Sequence, residues 1–184
     1  MPKKLVVKAD PQQPVKRLFF ALSCAPQQRK AIAQWRGQLE LRAGRPVPTA
    51  NFHLTLLFLG DVEVSRLPDL LAAAAKVRVP GTALRVVLDR LDVWRKAGVM
   101  VLAPQQPPPP LLQLVYALEQ AMLPFGSEER TREYRPHLTL LRDCRVDVPE
   151  WLTPPEFVLH ADHFTLYESH KGSYRVLMEW PLIS

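Results

Sequence analysis

The chain has 184 residues, of which 47% are hydrophobic, enough for one domain or for two small lobes sharing a core, and no apolar run approaches the length of a membrane span. Its 24 Lys and Arg outnumber 18 Asp and Glu for a net charge of +6, a balance that favours a polyanionic partner such as RNA; the arginines are scattered, which suits a site for a few phosphates better than a broad non-specific surface. The two isolated cysteines, Cys24 and Cys144, offer neither a disulfide framework nor a zinc pattern and read as reduced thiols in a cytoplasmic protein.

Residues 1–15 begin Met1-Pro-Lys-Lys-Leu-Val-Val. The apolar segment is too short for a signal peptide, so the stretch reads as a weakly attached leader before a domain over 16–184. Residues 17–22 are an aromatic-rich strand signal. Pro26 opens a helix to residue 41, with Ile32, Trp35 and Leu39 at helical spacing. A strand follows over 52–59, closed by Gly60-Asp61. Residues 64–77 predict a second helix, and Pro80-Gly81 a turn. The alternation of Leu84, Val86 and Leu88 with charged neighbours predicts a strand over 83–94. Lys96 to Gly98 reads as a hairpin tip and 99–103 as the return strand. A proline-rich linker at 105–110 precedes a third helix over 111–123. Strands are expected at 136–142, 157–167 and 174–180. Hairpins mixed with single helices indicate an α+β fold with largely antiparallel sheets.

One five-residue string occurs twice. His53-Leu54-Thr55-Leu56-Leu57 and His137-Leu138-Thr139-Leu140-Leu141 are identical. Strand side chains alternate faces, so each histidine points the same way as the threonine two residues on. The copies lie about half a chain length apart. That spacing predicts a bilobal architecture whose two sheets, with flanking helices, are related by a pseudo-twofold, with the site in the central cleft.

Two imidazoles titrating near neutrality can act as a pair, one neutral ring accepting a proton and one protonated ring giving it. The threonine hydroxyls can bind non-bridging phosphate oxygens. Neither string holds a carboxylate, and a third zinc ligand at suitable spacing is missing, so no metal or other cofactor is expected. Arg142 follows His137 by five residues; on a regular strand that odd offset faces it away, whereas at a strand end it could turn back to clamp phosphate. His163-Phe164-Thr165-Leu166 is a partial third copy and reads as a decoy. His160 and His170 have no motif context.

These residues resemble the two-histidine (2H) phosphoesterase superfamily, defined by paired His-x-Thr/Ser-x motifs, and within it the RNA 2′,3′-cyclic phosphodiesterases, formerly named 2′-5′ RNA ligases. The resemblance runs from about Arg17 to Leu182. It is carried by Arg17-Leu-Phe-Phe-Ala-Leu22, Asn51-Phe-His-Leu-Thr-Leu-Leu-Phe-Leu-Gly60, Tyr134-Arg-Pro-His-Leu-Thr-Leu-Leu-Arg142, Phe164-Thr-Leu-Tyr-Glu-Ser169 and the terminal Tyr174-Arg-Val-Leu-Met-Glu-Trp-Pro-Leu182. It implies a metal-independent enzyme that opens terminal 2′,3′-cyclic phosphates of RNA or nucleotides to 2′-phosphates, with reverse 2′-5′ ligation by the same groups. It implies His53 as proton donor and His137 as proton acceptor, an assignment that a near-symmetric pair could also reverse. Thr55, Thr139 and Arg142 would bind the phosphate, and Phe52 and Tyr134 are candidates to stack a base. The expected partners are RNA with cyclic-phosphate ends or cyclic nucleotides, with no membrane and a monomeric chain. Two alternatives stand beside this. One is the same chemistry on 2′-5′ oligoadenylate, ADP-ribose cyclic phosphate or the 3′ ends of small RNAs. The other is a non-catalytic RNA-binding protein.

Overall fold

Strand β1, Val15–Ser23, turns Leu18, Phe20 and Leu22 into the core and Phe19, Ala21 and Ser23 to the opposite face. The computed structural model describes residues 14–41, 43–126 and 133–184. The expected leader lies almost wholly outside the described residues, although Val15 itself opens β1. Helix α1, Pro26–Gly37, starts on a proline, whose missing N–H costs nothing in the first turn. It ends four residues before the expected limit, and Glu40 takes a left-handed φ of 48°.

A two-residue strand β2, Arg45–Pro46, which the sequence pattern did not mark, leads into a 3₁₀ turn, Thr49–Asn51, and then β3, His53–Glu63. β3 runs past the Gly60-Asp61 stop expected for it. Gly60 adopts φ +76° there, and the ladder with β1 slips twice, leaving Leu56 and Leu59 without partners. A β-bulge of this kind absorbs the glycine without ending the strand.

A 3₁₀ turn precedes α2, Leu67–Ala75, which buries Leu70 and Ala74. The single strand expected over 83–94 is two, β4, Leu84–Leu88, and β5, Arg90–Trp94. The break is Asp89, whose carboxylate accepts the Gln105 N–H at 2.8 Å. β6, Val99–Ala103, returns from β5 as the expected hairpin. Helix α3, Pro109–Ala121, buries Leu111, Leu114, Val115 and Leu118, one stripe at helical spacing. β7, Leu138–Arg142, follows. The expected strand over 157–167 also divides, at Asp162, into β8, Phe157–Ala161, and β9, His163–His170. β10, Ser173–Pro181, closes the chain.

All pairings between these strands are antiparallel. One four-stranded sheet has the order β10-β9-β1-β3, the other β2-β7-β6-β5, and β4-β8 forms a separate pair. The two aspartate breaks are the points where the chain leaves the β4-β8 pair for a larger sheet. β3 and β7, which carry the repeated strings, thus fall in different sheets. One continuous cluster including Phe20, Leu54, Leu56, Met100, Leu138, Leu140 and Phe164 joins both sheets, so the lobes share a core. Among the described residues, no helix is long and apolar enough to cross a membrane.

Candidate active site

His53 opens β3 and His137 immediately precedes β7, and each is fixed in the same way. The Nδ1–H of His53 donates to the Asn51 carbonyl at 2.7 Å, and that of His137 to the Arg135 carbonyl at 2.8 Å. The acceptor is in each case two residues upstream. A ring pinned through Nδ1 presents Nε2 as its working atom. His53 Nε2 accepts the Thr55 hydroxyl at 2.8 Å. His137 Nε2 has no partner among the described residues.

The two rings meet in one cleft of about 380 Å³. The sheet of β3 supplies His53, Thr55 and Tyr174 to its wall, and the sheet of β7 supplies His137, Thr139, Arg142 and Trp94. Arg142 reaches the cleft because Leu140 is an extra residue in the ladder. Val101 pairs with Thr139, Met100 with Leu141 and Val99 with Arg142. Val99 and Val101 share a face of β6, so Thr139 and Arg142 share one too. The bulge removes the odd offset that a regular strand would impose. The first half repeats the device. Ala21 pairs with Thr55, Phe20 with Leu57 and Phe19 with Phe58, leaving Leu56 unpaired at the same place in the string. There the position equivalent to Arg142 is Phe58, exposed, with the Arg17 guanidinium 4.8 Å above its ring.

Aromatic walls surround each imidazole. His53 lies 5.0 Å from Phe19 and 5.1 Å edge-on from Tyr174. His137 meets Trp94 edge-on at 4.5 Å, and Arg135 caps that indole at 4.1 Å. Burial in these walls pulls the His53 pKa down to about 4, and Arg142 and His137 add to the shift. His137 is lowered from its ordinary value chiefly by burial, with Arg135 and Arg142 contributing. Both rings are therefore neutral at pH 7 in the free protein. An anion beside them restores protonation by favouring the charged form.

The two base-stacking candidates lie elsewhere. Phe52, 3% exposed, is in the core, its ring under the Arg36 guanidinium at 4.9 Å. It is the strand neighbour of His53 and faces the opposite way. Tyr134 is half-buried and donates its hydroxyl to the Thr55 carbonyl at 2.8 Å. The aromatic residues that line the cleft are Trp94 and Tyr174, which sequence reasoning missed. His163 lies outside it, bound to Asp162 at 2.6 Å and bordering a separate groove. Among the described residues, no three His, Cys, Asp or Glu side chains gather into a set that could hold a metal ion. Cys24 and Cys144 are free and buried.

Comparison with known proteins follows the same outline. The LigT like Phosphoesterase family pattern matches twice, over residues 22–101 and 101–178, once for each half. The RNA 2′,3′-cyclic phosphodiesterase of Escherichia coli K12 is 36% identical over 173 residues, covering 90% of this chain and 96% of that protein. The crystal structure of E. coli LigT complexed with 3′-AMP superposes with a TM-score of 0.83 at 33% identity, over 93% of this chain and all of that one. The phosphate complex of the same protein gives 0.79 at 33% identity, over 92% of this chain and 99% of that one.

Proposed function

Since the chain belongs to the LigT-like phosphoesterase family and is an enzyme of that family, we propose that it hydrolyses terminal 2′,3′-cyclic phosphates of RNA or nucleotides to 2′-phosphates. The observation that carries this is the pair of imidazoles with Nδ1 pinned and Nε2 turned into one cleft beside Arg142.

The cyclic phosphate sits between the lobes, its non-bridging oxygens taken by the Thr55 and Thr139 hydroxyls and by the Arg142 guanidinium. Its negative charge lifts both histidines from their depressed values, and one ring takes up a proton. His137, whose Nε2 lone pair has no competing donor among the described residues, accepts a proton from water. The oxygen attacks phosphorus in line with the 3′ oxygen. As the P–O3′ bond breaks, His53 Nε2–H gives its proton to that oxygen, releasing a 3′-hydroxyl and leaving the phosphate on the 2′ oxygen. A 5′-hydroxyl in place of water gives a 2′-5′ linkage by the same transfers. The phosphate charge brings His53 into the range where it holds a proton near neutral pH and can still give it to an alkoxide leaving group.

The test is incubation of EDTA-treated protein with a short RNA ending in a 2′,3′-cyclic phosphate, with the 2′- and 3′-phosphate products resolved. Formation of the 2′-phosphate at the rate seen without EDTA supports the reading. Release of the 3′-phosphate, or loss of turnover on chelation, overturns it.

A further inference from the structure

We infer that Tyr134 and Arg36 are positioning residues that tie the two motif strands together from outside the cleft and so set the separation of the two imidazoles. Each bulge disturbs a ladder at the fourth residue of the repeated string, beside the threonine that faces the site, and a disturbed ladder leaves backbone groups seeking partners. At both places a side chain from elsewhere in the chain bonds the strand's carbonyls. Tyr134, three residues before His137, donates to the Thr55 carbonyl of the first string at 2.8 Å. Arg36 of α1 donates from one guanidinium nitrogen to the Leu140 carbonyl of the second string at 2.9 Å and to the Val47 carbonyl at 2.8 Å. The Leu140 carbonyl also accepts the Val47 N–H at 2.9 Å. The same guanidinium lies over Phe52, the neighbour of His53. Tyr134 thus joins the approach to the second histidine to the first strand, and Arg36 joins the approach to the first histidine to the second.

The tie has a chemical consequence. The Thr55 backbone held by Tyr134 carries the hydroxyl bonded to His53, and the Leu140 backbone held by Arg36 follows Thr139. Both ties are partly buried, and burial holds the Arg36 pKa below its ordinary value and the Tyr134 phenol above its own. A displacement on the order of 1 Å between groups that must act on one phosphate costs far more rate than binding. The inference rests on the two-histidine reading of the cleft, so its test includes a readout that needs no substrate.

Tyr134→Phe keeps the ring and removes the donor. With a 2′,3′-cyclic nucleotide, kcat falls about tenfold while KM stays within about twofold. In the substrate-free protein, the His53 and His137 NMR titrations both move toward the ordinary histidine range, because a loosened cleft admits water. Arg36→Lys, which keeps a charged donor, retains more rate than Arg36→Met. The control is Trp35→Phe, which removes a side chain to backbone bond of the same kind, to Thr153 at 2.9 Å, away from the motif strands. It lowers stability and leaves kcat and both titrations in place. A Tyr134→Phe protein with wild-type histidine titrations overturns the inference, whatever Arg36→Met does to folding. A wild-type protein inert toward the cyclic nucleotide defeats the functional reading instead, and the titrations still decide this one.

Discussion

Thr139 and Arg142 stand on one face of β7, three residues apart, because Leu140 has no partner in the ladder with β6. The guanidinium thereby reaches the cleft in which His53 and His137 meet. A planar fork matches two phosphate oxygens, and an ammonium matches one. Arg142→Lys therefore raises KM and lowers kcat, for a loss in kcat/KM of about tenfold to a hundredfold, and Arg142→Ala loses more. Steady-state kinetics on a 2′,3′-cyclic nucleotide measures both, and inorganic phosphate as inhibitor weakens in parallel. Unchanged inhibition by phosphate in Arg142→Ala removes the clamp assignment.

The threonines are not equivalent in the free protein. The Thr55 hydroxyl donates to the neutral form of His53 at 2.8 Å, and a bond to the neutral form disfavours the charged one. Thr55→Val therefore raises the His53 titration. Thr139→Val leaves the His137 titration nearly in place, since no bond joins that pair among the described residues. Both variants lower kcat/KM by about tenfold or more through the lost phosphate contact. Two-dimensional NMR of the histidine ring protons separates the effects, and equal shifts in the two variants would contradict the asymmetry.

The alternation of side chains along one strand is a local property, so the pairing of each histidine with its threonine was legible from the sequence. The same alternation places Phe52 behind His53, and it was a missed signal against the base-stacking assignment. A bulge is a property of two paired strands, and nothing in Leu140 itself marks it. Arg142 accordingly looked averted on a regular strand. Asp89 and Asp162 divide apparently continuous strands because each sits where the chain passes from one sheet to another. Trp94 and Tyr174 enter the cleft from β5 and β10, brought there by tertiary packing that no short window of sequence contains.

The lowered histidine pKa values are also a statement about stability. The unfolded chain takes up protons near the ordinary histidine value of about 6.5, whereas folded His53 does so only near 4, and His137 is lowered too. Between these limits the unfolded state binds more protons, so stability rises with pH. The contribution is whole above about pH 6.5 and is lost as the pH falls toward 4. For the partly accessible His53 it is on the order of 2 kcal/mol. Urea unfolding at pH 7 and pH 4.5 reads it as the difference between wild type and His53→Gln. The wild type loses more stability than the variant on acidification, and equal losses would show that His53 is not held neutral by the fold.

The roles of the two histidines separate on a substrate whose leaving atom needs no proton. In a 2′,3′-cyclic phosphate with sulfur at the bridging 3′ position, the leaving group is a thiolate, stable near neutral pH, where an alkoxide is not. His53 accepts the Thr55 hydroxyl in the free protein, and His137 Nε2 has no partner among the described residues. With His53 as acid, His53→Ala loses about a thousandfold or more on the oxygen substrate and only a small fraction of that on the sulfur one. His137→Ala, lacking the group that takes the proton from water, is equally impaired on both. Rescue of His137→Ala by the sulfur substrate, with no rescue of His53→Ala, reverses the assignment while keeping the two-histidine mechanism. Rescue of neither removes general-acid catalysis from the account and leaves the cleft with charge stabilisation through Arg142 and the threonines.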